Sequence, residues 1–208
     1  MNIYLLRHGE TDWNKEGRIQ GHTDIPLNDN GRVQIARTAE GLTDVCHGVD
    51  AVICSPLSRA RESARIAAEK LNYPTERIIV EPLLIERSFG EAEGLTAAQR
   101  EEKYPNYHYS DINYVFPGME PFEELIERAL NVFQKITDIY KDKENILIVS
   151  HGAMLAAVIT AVTDRKIAYF SDAVSLDSAS LFRVNHVDGV VRLAKYNVDK
   201  SGFTDISL

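Results

Sequence analysis

The sequence predicts an α/β fold with a largely parallel sheet. Three short apolar runs bounded by polar residues have the length of buried strands, namely NIYLL at 2–6, DAVIC at 50–54 and NILIVS at 145–150. A turn and then helical periodicity follow each run, at about 28–42, 58–71 and 151–162. This regular alternation of strand and helix is typical of parallel sheets covered by helices.

Two of the predicted helices have a clear apolar face. In the helix at 58–71, apolar residues recur at spacings of three and four, which predicts one buried side: Leu57, Ala60, Ala64, Ala67 and Leu71. A longer helix is predicted over about 121–140, with Pro121 in its first turn, where proline is well tolerated. Its apolar residues repeat at the same spacing: Phe122, Leu125, Ile126, Ala129, Phe133, Ile136 and Tyr140.

The remaining segments are less regular. RIIVEPLL at 77–84 is a candidate further strand, and 178–196 is predicted to form a hairpin around Asp188 and Gly189 that extends the sheet at its end. The segment 104–119 is rich in Tyr, Pro and Asn and has no clear period. We treat it as a candidate lid or pocket wall, with a packed surface loop as the default.

Length, charge and cysteine content restrict the class of protein. A chain of 208 residues that is 44% hydrophobic predicts one compact domain over 1–208. A net charge of -8 argues against a nucleic-acid or membrane-surface protein, since both classes are usually rich in Lys and Arg. Cys46 and Cys54 form no C-x-x-C pair, and no apolar run approaches the roughly 20 residues of a membrane span. We therefore expect a cytoplasmic protein.

Ionisable residues follow all three predicted strands. Arg7 and His8 follow the first strand, Arg59 lies just beyond the second, and His151 follows the third. Ligands of open α/β sheets bind beyond the carboxyl ends of the strands, so we expect these side chains to meet. Their charges predict a pocket for an anion.

Arg59 adds to this prediction because it lies in the first turn of a helix. The helix dipole disfavours a cation there by a few tenths to about 1 kcal/mol, and a bound anion would reverse that penalty. The guanidinium group also matches the oxygens of a phosphate. The alternative, which the sequence leaves open, is an arginine that points into solvent.

A phosphate pocket with two histidines suggests phosphoryl transfer. A neutral imidazole can act as a nucleophile, and Gly9 permits close approach to His8. A leaving alkoxide needs a proton, for which LLIERSFGEAEG offers Glu86, Glu91 and Glu93. Composition does not select among these three carboxyl groups.

Four motifs resemble those of the histidine phosphatase superfamily, also called the phosphoglycerate mutase-like family, over nearly the whole chain. They are LLRHGETDWN at 5–14, GRIQGHTDIPLNDNG at 17–31, CSPLSRARESA at 54–64 and VSHG at 149–152. The resemblance implies a mixed, mostly parallel sheet flanked by helices on both sides. It also implies that His8 accepts the phosphoryl group.

The resemblance assigns roles to the other site residues. Arg7, Arg59 and His151 would line the phosphate pocket, and Glu86 would donate the proton. The implied contacts to phosphate or substrate are Thr11, Asn14, Gln20, Gly21, His22 and Gly152.

Departures from the mutase pattern favour a phosphatase. Cofactor-dependent mutases have motifs similar to ERHYG and GLNK, where this chain has ERSFG and GLTA. Phe89 therefore replaces a tyrosine, and Ala97 replaces a lysine. Ala153 stands where mutases usually have asparagine, and 100–120 contains only Arg100 in place of paired arginines. A mutase needs those cations to hold a bisphosphate intermediate. Because the chain lacks them, we expect transfer of the phosphoryl group to water.

The sequence therefore predicts a phosphomonoester phosphatase that acts on a small phosphorylated metabolite through a phosphohistidine. We expect no cofactor and no metal, since His8, Glu10 and His151 lack metal-site spacing. The alternatives are a phosphoglycerate mutase and a phospho-ligand binding module without turnover. The sequence leaves the substrate and the existence of a homo-oligomer open.

Overall fold

A mixed seven-stranded sheet forms the centre of the described structure. The structure is a computed structural model and describes residues 1–106, 111–168, 176–187, 190–197 and 202–208. The strands are Asn2–Arg7 (β1), Ala51–Cys54 (β2), Ile79–Val80 (β3), Asn145–Ser150 (β4), Leu181–Val187 (β5), Val190–Asn197 (β6) and Gly202–Ile206 (β7). Their order across the sheet is β3-β2-β4-β1-β5-β6-β7.

The sheet has a parallel half and an antiparallel half. β1, β2, β3 and β4 pair in parallel, and β5, β6 and β7 add antiparallel strands beyond β1. The expected mixed sheet with a parallel core is confirmed. In the β1–β4 register Arg7 lies opposite Ser150, so the two strands end level with each other. This register places the residues that follow them, His8 and His151, side by side.

The described residues form six α-helices. They are Asp12–Lys15 (α1), Asp29–Thr43 (α2), Ser58–Lys70 (α3), Ala97–Lys103 (α4), Phe122–Ile139 (α5) and Gly152–Val162 (α6). The four long helices lie within two residues of their predicted bounds. The sequence prediction missed α1 and α4, although each begins with a capping box, at Thr11 with Asn14 and at Thr96 with Gln99.

Alternating residues of the strands face two separate cores. In β1, Ile3 and Leu5 pack with α5 and α6, while Tyr4 and Leu6 pack with α2 and α3. Successive side chains of a strand point to opposite faces of the sheet, so both faces need a helical cover. Helices therefore flank the sheet on both sides, as expected. None of the helices in the described residues combines the length and apolar character needed to cross a bilayer.

Three less regular predictions have mixed outcomes. The predicted strand at 77–84 is reduced to two residues, because Pro82 begins a short 3-10 turn directly after it. The hairpin of β5 and β6 is present, but its turn at 188–189 lies outside the described residues. In the segment 104–119, residues 107–110 lie outside the described residues. In the described part of this segment, the ring of the buried Phe116 contacts the ring of Tyr104, with the centroids 4.8 Å apart.

Candidate active site

The ends of β1 and β4 bring two buried histidines together. The rings of His8 and His151 meet edge to face, with centroids 5.2 Å apart and an interplanar angle of 60°. Both side chains are buried. The level ends of two adjacent parallel strands account for this pair, as the sequence predicted.

The two ring nitrogens of His8 have different surroundings: Nδ1 is hydrogen-bonded to the backbone, and Nε2 is the candidate reactive atom. Its Nδ1 lies 2.7 Å from the carbonyl oxygen of Gly9. Because a carbonyl only accepts hydrogen bonds, Nδ1 carries the proton and Nε2 carries the lone pair. Burial, and then the charges of Arg7 and Arg59, lower the pKa of His8 well below 6.5. His8 is therefore neutral at physiological pH, with Nε2 available as a nucleophile.

Backbone contacts fix the turn that carries His8. The His8 N–H donates to the Ser150 carbonyl at 3.0 Å, and the His8 carbonyl accepts from the Ala179 N–H at 3.0 Å. A side chain on Gly9 would not fit, since its Cβ would lie 2.3 Å from the carbonyl oxygen of Gly31 in α2. The glycine therefore allows α2 to pack directly against the turn.

His151 is held by Ser55, which follows β2. Its Nε2 lies 2.6 Å from Ser55 Oγ, and Oγ also accepts the N–H of Leu57 at 3.3 Å. Because the described residues offer the Ser55 hydroxyl proton no other acceptor, we assign that proton to the hydrogen bond with Nε2, and the ring proton of the neutral His151 then lies on Nδ1. Nδ1 is buried and has no hydrogen-bond partner among the described residues. Burial, followed by the charge of Arg59, lowers the pKa of His151 well below 6.5.

Arg59 points into the protein, which excludes the solvent-facing alternative. Its side chain is 0% exposed; Nη1 donates to the Thr23 carbonyl at 2.9 Å and Nη2 to the Gly21 carbonyl at 2.8 Å. Its Nε is buried without a partner among the described residues. Two buried donors, Arg59 Nε and His151 Nδ1, thus lack an acceptor in the part of the chain that the structure describes, and unpaired buried donors are costly. An oxyanion would satisfy both.

Glu93 organises the loop that receives Arg59. Its carboxylate accepts from the N–H of His22 at 3.0 Å, the N–H of Thr23 at 2.9 Å and the N–H of Phe89 at 3.1 Å. Burial by itself raises the pKa of Glu93, but these hydrogen bonds, led by that from the Thr23 hydroxyl, lower it overall. Gly21 has a φ of 56°, and a Cβ there would meet Glu93 Oε1 at 2.0 Å. Gly21 therefore contributes its backbone carbonyl, which accepts a hydrogen bond from Arg59 Nη2.

Glu86 is the carboxyl group that lies beside the histidines. Its Oε1 accepts from the N–H of Met154 at 3.0 Å and its Oε2 from the N–H of Ala153 at 3.3 Å, in the first turn of α6 just after His151. Glu86 is 8% exposed, whereas Glu91 is exposed and pairs with Lys103. Glu93 is hydrogen-bonded to the N–H groups of His22 and Thr23. The structure therefore distinguishes Glu86, which lies at the start of α6, from Glu91 and Glu93, as the sequence did not.

Arg7 and Gly152 lie next to each other at the same edge of the sheet. Arg7 Nη1 donates to the carbonyl of Leu176. A Cβ on Gly152 would lie 3.5 Å from Arg7 Nε, so the guanidinium group faces the start of α6. The two residues belong to the predicted set, and the structure brings them together.

The other predicted contacts fall into two groups. Thr11 Oγ1 lies 3.0 Å from both Asn14 Oδ1 and Gln20 Oε1, which makes these three residues a polar cluster beyond the turn that carries His8. His22 is exposed, yet its Nε2 donates to the Glu86 carbonyl at 2.8 Å. The structure thus links His22 to the segment that carries Glu86. It groups Thr11, Asn14 and Gln20 with one another.

Sequence reasoning missed two residues that support the site. Ser55 stands in the CSPLSRARESA motif, but nothing local in the sequence shows that it reaches His151. Arg128 in α5 donates to the Ile85 carbonyl at 2.8 Å and to Glu120 Oε2 at 2.7 Å. The Ser55–His151 and Arg128–Ile85 contacts join residues 96 and 43 positions apart, so no local pattern in the sequence signals either of them.

The arrangement has the character of an oxyanion site. The charges of Arg7 and Arg59 act on the His8 imidazole, and two buried donors, Arg59 Nε and His151 Nδ1, have no acceptor among the described residues. The described residues contain no cluster of three or more His, Cys, Asp or Glu side chains that could hold a metal ion. Cations and N–H donors of this kind suit an oxyanion such as phosphate.

Comparisons with known proteins agree with this chemistry. The chain is 35% identical over 205 residues to the uncharacterized phosphatase PhoE of Bacillus subtilis (strain 168), covering 97% of each chain. It is 30% identical over 210 residues to the probable phosphoglycerate mutase GpmB of Enterobacter sp. (strain 638), covering 100% of this chain and 94% of GpmB. Relatives thus include both phosphatases and mutases.

The fold has a similar counterpart among solved structures. The mycobacterial glucosyl-3-phosphoglycerate phosphatase in complex with VO3 is 25% identical and superimposes with a TM-score of 0.82, covering 94% of this chain and 98% of that chain. The model of the histidine phosphatase superfamily (branch 1) matches residues 3–199. The chain therefore belongs to the histidine phosphatase superfamily.

Proposed function

We propose that this protein is a phosphomonoester phosphatase that hydrolyses a small phosphorylated metabolite through a phosphohistidine on His8. The observation that carries the proposal is a pair of buried donors near the neutral His8, Arg59 Nε and His151 Nδ1, for which the described residues provide no acceptor. A phosphate oxygen would accept from both donors while the phosphorus faces His8 Nε2. A single domain over 1–208 is part of the proposal.

The first half-reaction transfers the phosphoryl group to the protein. Nε2 of His8 attacks phosphorus, the bond from phosphorus to the ester oxygen breaks, and the carboxyl proton of Glu86 goes to the leaving alkoxide. Arg7, Arg59 and His151 stabilise the negative charge on the three equatorial oxygens. Fixed donors in a buried site are effective because they need no reorganisation during the reaction.

The second half-reaction returns the site to its starting state. Water attacks the phosphorus of phosphohistidine, the Glu86 carboxylate takes a proton from that water, and the bond from phosphorus to Nε2 breaks. Inorganic phosphate then leaves. The proposed substrate contacts are Thr11, Asn14, Gln20 and the backbone around Gly21, with His22 and Gly152 at the edge of the pocket.

Hydrolysis is favoured over mutase activity by the surroundings of the site. A mutase must retain a bisphosphate intermediate, which requires additional cations. The segment 100–120 contains a single arginine, Arg100, where the mutase pattern has paired arginines. The methyl groups of Ala97 and Ala153 replace polar side chains of the mutase pattern. The similarity to GpmB keeps the mutase as the second candidate.

The first test is hydrolysis of an aryl phosphate without added metal. We expect His8→Ala to abolish turnover, while His47→Ala, an exposed histidine outside the site, retains it. Undiminished hydrolysis by His8→Ala would refute the proposal. A coupled assay of 3-phosphoglycerate interconversion with 2,3-bisphosphoglycerate tests the mutase, and turnover comparable to hydrolysis would reverse the ranking. A panel of phosphorylated metabolites would then define the substrate.

A further inference from the structure

The chain around Glu86 has no regular secondary structure to hold it in place. A short 3-10 turn ends at Leu84, and residues 85–88 form neither helix nor strand. The carbonyl groups of such a segment need partners from elsewhere in the protein. Four consecutive carbonyl oxygens, those of residues 83–86, each accept a hydrogen bond from a side chain. The position of Glu86 therefore depends on the side chains that supply these donors.

Arg128 of α5 supplies most of these hydrogen bonds. Its Nη1 donates to the Leu83 carbonyl and to the Ile85 carbonyl, both at 2.8 Å. Its Nη2 lies 3.4 Å from the Glu86 carbonyl oxygen. One side chain thus contacts three of the four carbonyl groups, including that of Glu86 itself.

Glu120 fixes the orientation of the Arg128 guanidinium group. Its two carboxylate oxygens accept from Arg128 Nε at 2.8 Å and from Nη2 at 2.7 Å, and both side chains are only 16% exposed. The Glu120 backbone also contacts the chain just beyond Glu86, because its N–H donates to the Ser88 carbonyl at 3.0 Å and its carbonyl accepts from Arg87 Nε at 2.8 Å. A planar guanidinium group held at two points directs its remaining N–H groups along fixed lines.

The carboxyl group of Glu86 caps α6 from a distant part of the chain. Ala153 and Met154 lie in the first turn of this helix, where N–H groups have no partner within the helix, and His151 at the N-cap offers no side-chain hydrogen bond. The Glu86 oxygens accept both N–H groups, at 3.3 and 3.0 Å. Arg128 reaches the same place, since its Nη1 lies 3.4 Å from Met154 Sδ. The two amide groups therefore report whether the carboxyl group is in position.

We propose that Arg128 is a positioning residue for the proton donor. It holds the carbonyl groups at and before Glu86, so that the carboxyl group stays at the start of α6 beside the proposed phosphate pocket. Arg128 itself makes no contact with the reacting atoms and acts through Glu86. The effect on catalysis rests on the proposed phosphatase function, whereas the placement of the carboxyl group does not. A purely structural ion pair between Arg128 and Glu120 would instead affect all substrates equally.

Two variants of Arg128 and one matched control test the proposal. Arg128→Met keeps an unbranched side chain and removes every N–H donor, while Arg128→Lys keeps the charge on a single nitrogen that cannot serve both the carboxylate and the carbonyl groups. Lys135→Met is the control, because Lys135 also lies on α5 and forms an ion pair, but with Glu81, outside the segment 83–86. Circular dichroism establishes the temperature at which each variant is folded. If Arg128→Met does not fold, Arg128→Lys takes its place, with a smaller loss in the same direction.

The first measurement is kcat/KM, which reports the first half-reaction, for an alkyl phosphate and for p-nitrophenyl phosphate. Arg128→Met should lower kcat/KM for the alkyl phosphate by about 10 to 100-fold, because the acid is displaced. The loss for p-nitrophenyl phosphate should be less than about threefold, because its leaving group needs no proton. Lys135→Met should change neither value. Equal losses for the two substrates, or the same selective loss in Lys135→Met, would refute the proposal.

A double variant shows whether Arg128 acts through Glu86. In Glu86→Gln the transferable proton is already missing, so adding Arg128→Met should lower kcat/KM for the alkyl phosphate by less than about threefold more. A further loss as large as that in the wild-type background would overturn the proposal, since Arg128 would then act independently of the carboxyl group.

Hydrogen exchange followed by NMR tests the placement without any activity. The amide groups of Ala153 and Met154 should exchange at least about tenfold faster in Arg128→Met than in the wild type or Lys135→Met, and as fast as in Glu86→Ala. The amide groups of β4 serve as the reference for global unfolding. Unchanged exchange would refute the positioning role. If Glu86→Gln affects both substrates equally, or no phosphate ester is hydrolysed, the proposed function fails, and exchange still decides whether Arg128 holds the carboxyl group.

Discussion

Replacing Ser55 with alanine removes the hydroxyl that fixes the ring proton of His151. In the wild type, Ser55 accepts from the Leu57 N–H and donates to His151 Nε2, at 3.3 and 2.6 Å. With alanine, Nε2 has no donor and the ring can move its proton from Nδ1 to Nε2. The pocket then loses the Nδ1–H donor that we assign to the phosphate.

The size of the effect follows from these two contacts. Each buried group left without a partner costs about 1–3 kcal/mol, so the free energy of unfolding should fall by about 2 kcal/mol or more. Complete loss of one transition-state donor lowers kcat by about 10² to 10³-fold. Because the Nδ1–H tautomer stays accessible in the variant, we expect a smaller loss, of about 10 to 100-fold.

The assay pairs kinetics with a direct view of the tautomer. The value of kcat is measured for wild type, Ser55→Ala and Ser55→Thr, the last of which keeps a hydroxyl and should retain more activity than alanine. Two-dimensional 15N NMR of the His151 ring should show the proton on Nδ1 in the wild type. Thr163→Val, which removes a buried hydroxyl directly after α6, controls for stability alone. An Nε2–H tautomer in the wild type, or kcat of Ser55→Ala within about twofold of wild type, would refute the reasoning.

Three further predictions follow from the site. Glu86→Gln should lower kcat/KM by about 10² to 10⁴-fold for an alkyl phosphate, and much less for p-nitrophenyl phosphate, whose leaving group needs no proton; equal losses would contradict its role as acid. Because the pKa values of His8 and His151 lie below 6.5, both stay neutral in the folded state while the unfolded chain takes up protons as pH falls below 6.5. The free energy of unfolding in urea should therefore fall there by up to about 1.4 kcal/mol per pH unit for each histidine, and a pH-independent value would count against the buried neutral pair. Gly9→Ala places a Cβ 2.3 Å from the Gly31 carbonyl oxygen and should cost about 1–3 kcal/mol of stability together with most activity, so a fully stable and active variant would contradict the close packing.

The sequence predicted the parts of the site that depend on strand ends. His8 and His151 directly follow regular apolar runs, and parallel strands bring their carboxyl ends to one edge of the sheet. The two cores were equally predictable, since Leu5 and Leu6 must face opposite sides of a strand. Arg59 was placed in the correct first turn of its helix, but its complete burial depends on a loop from a different part of the chain.

Other features depend on contacts between distant residues. Glu86, Glu91 and Glu93 have similar local sequence, and only the position of the α6 amide groups distinguishes the first. The partnership of Ser55 with His151 spans 96 positions and leaves no periodic signal. The strand at Ile79–Val80 is shorter than its apolar pattern suggested, because a proline ends it.

The central claim is that His8 forms a covalent bond to phosphorus during turnover. The most direct measurement is rapid quenching of the reaction with a 32P-labelled phosphate ester, followed by mapping of the labelled residue under alkaline conditions that preserve phosphohistidine. We expect label on His8 in the wild type and none in His8→Ala. Label on any other residue, or continued turnover by His8→Ala without a labelled intermediate, would contradict it.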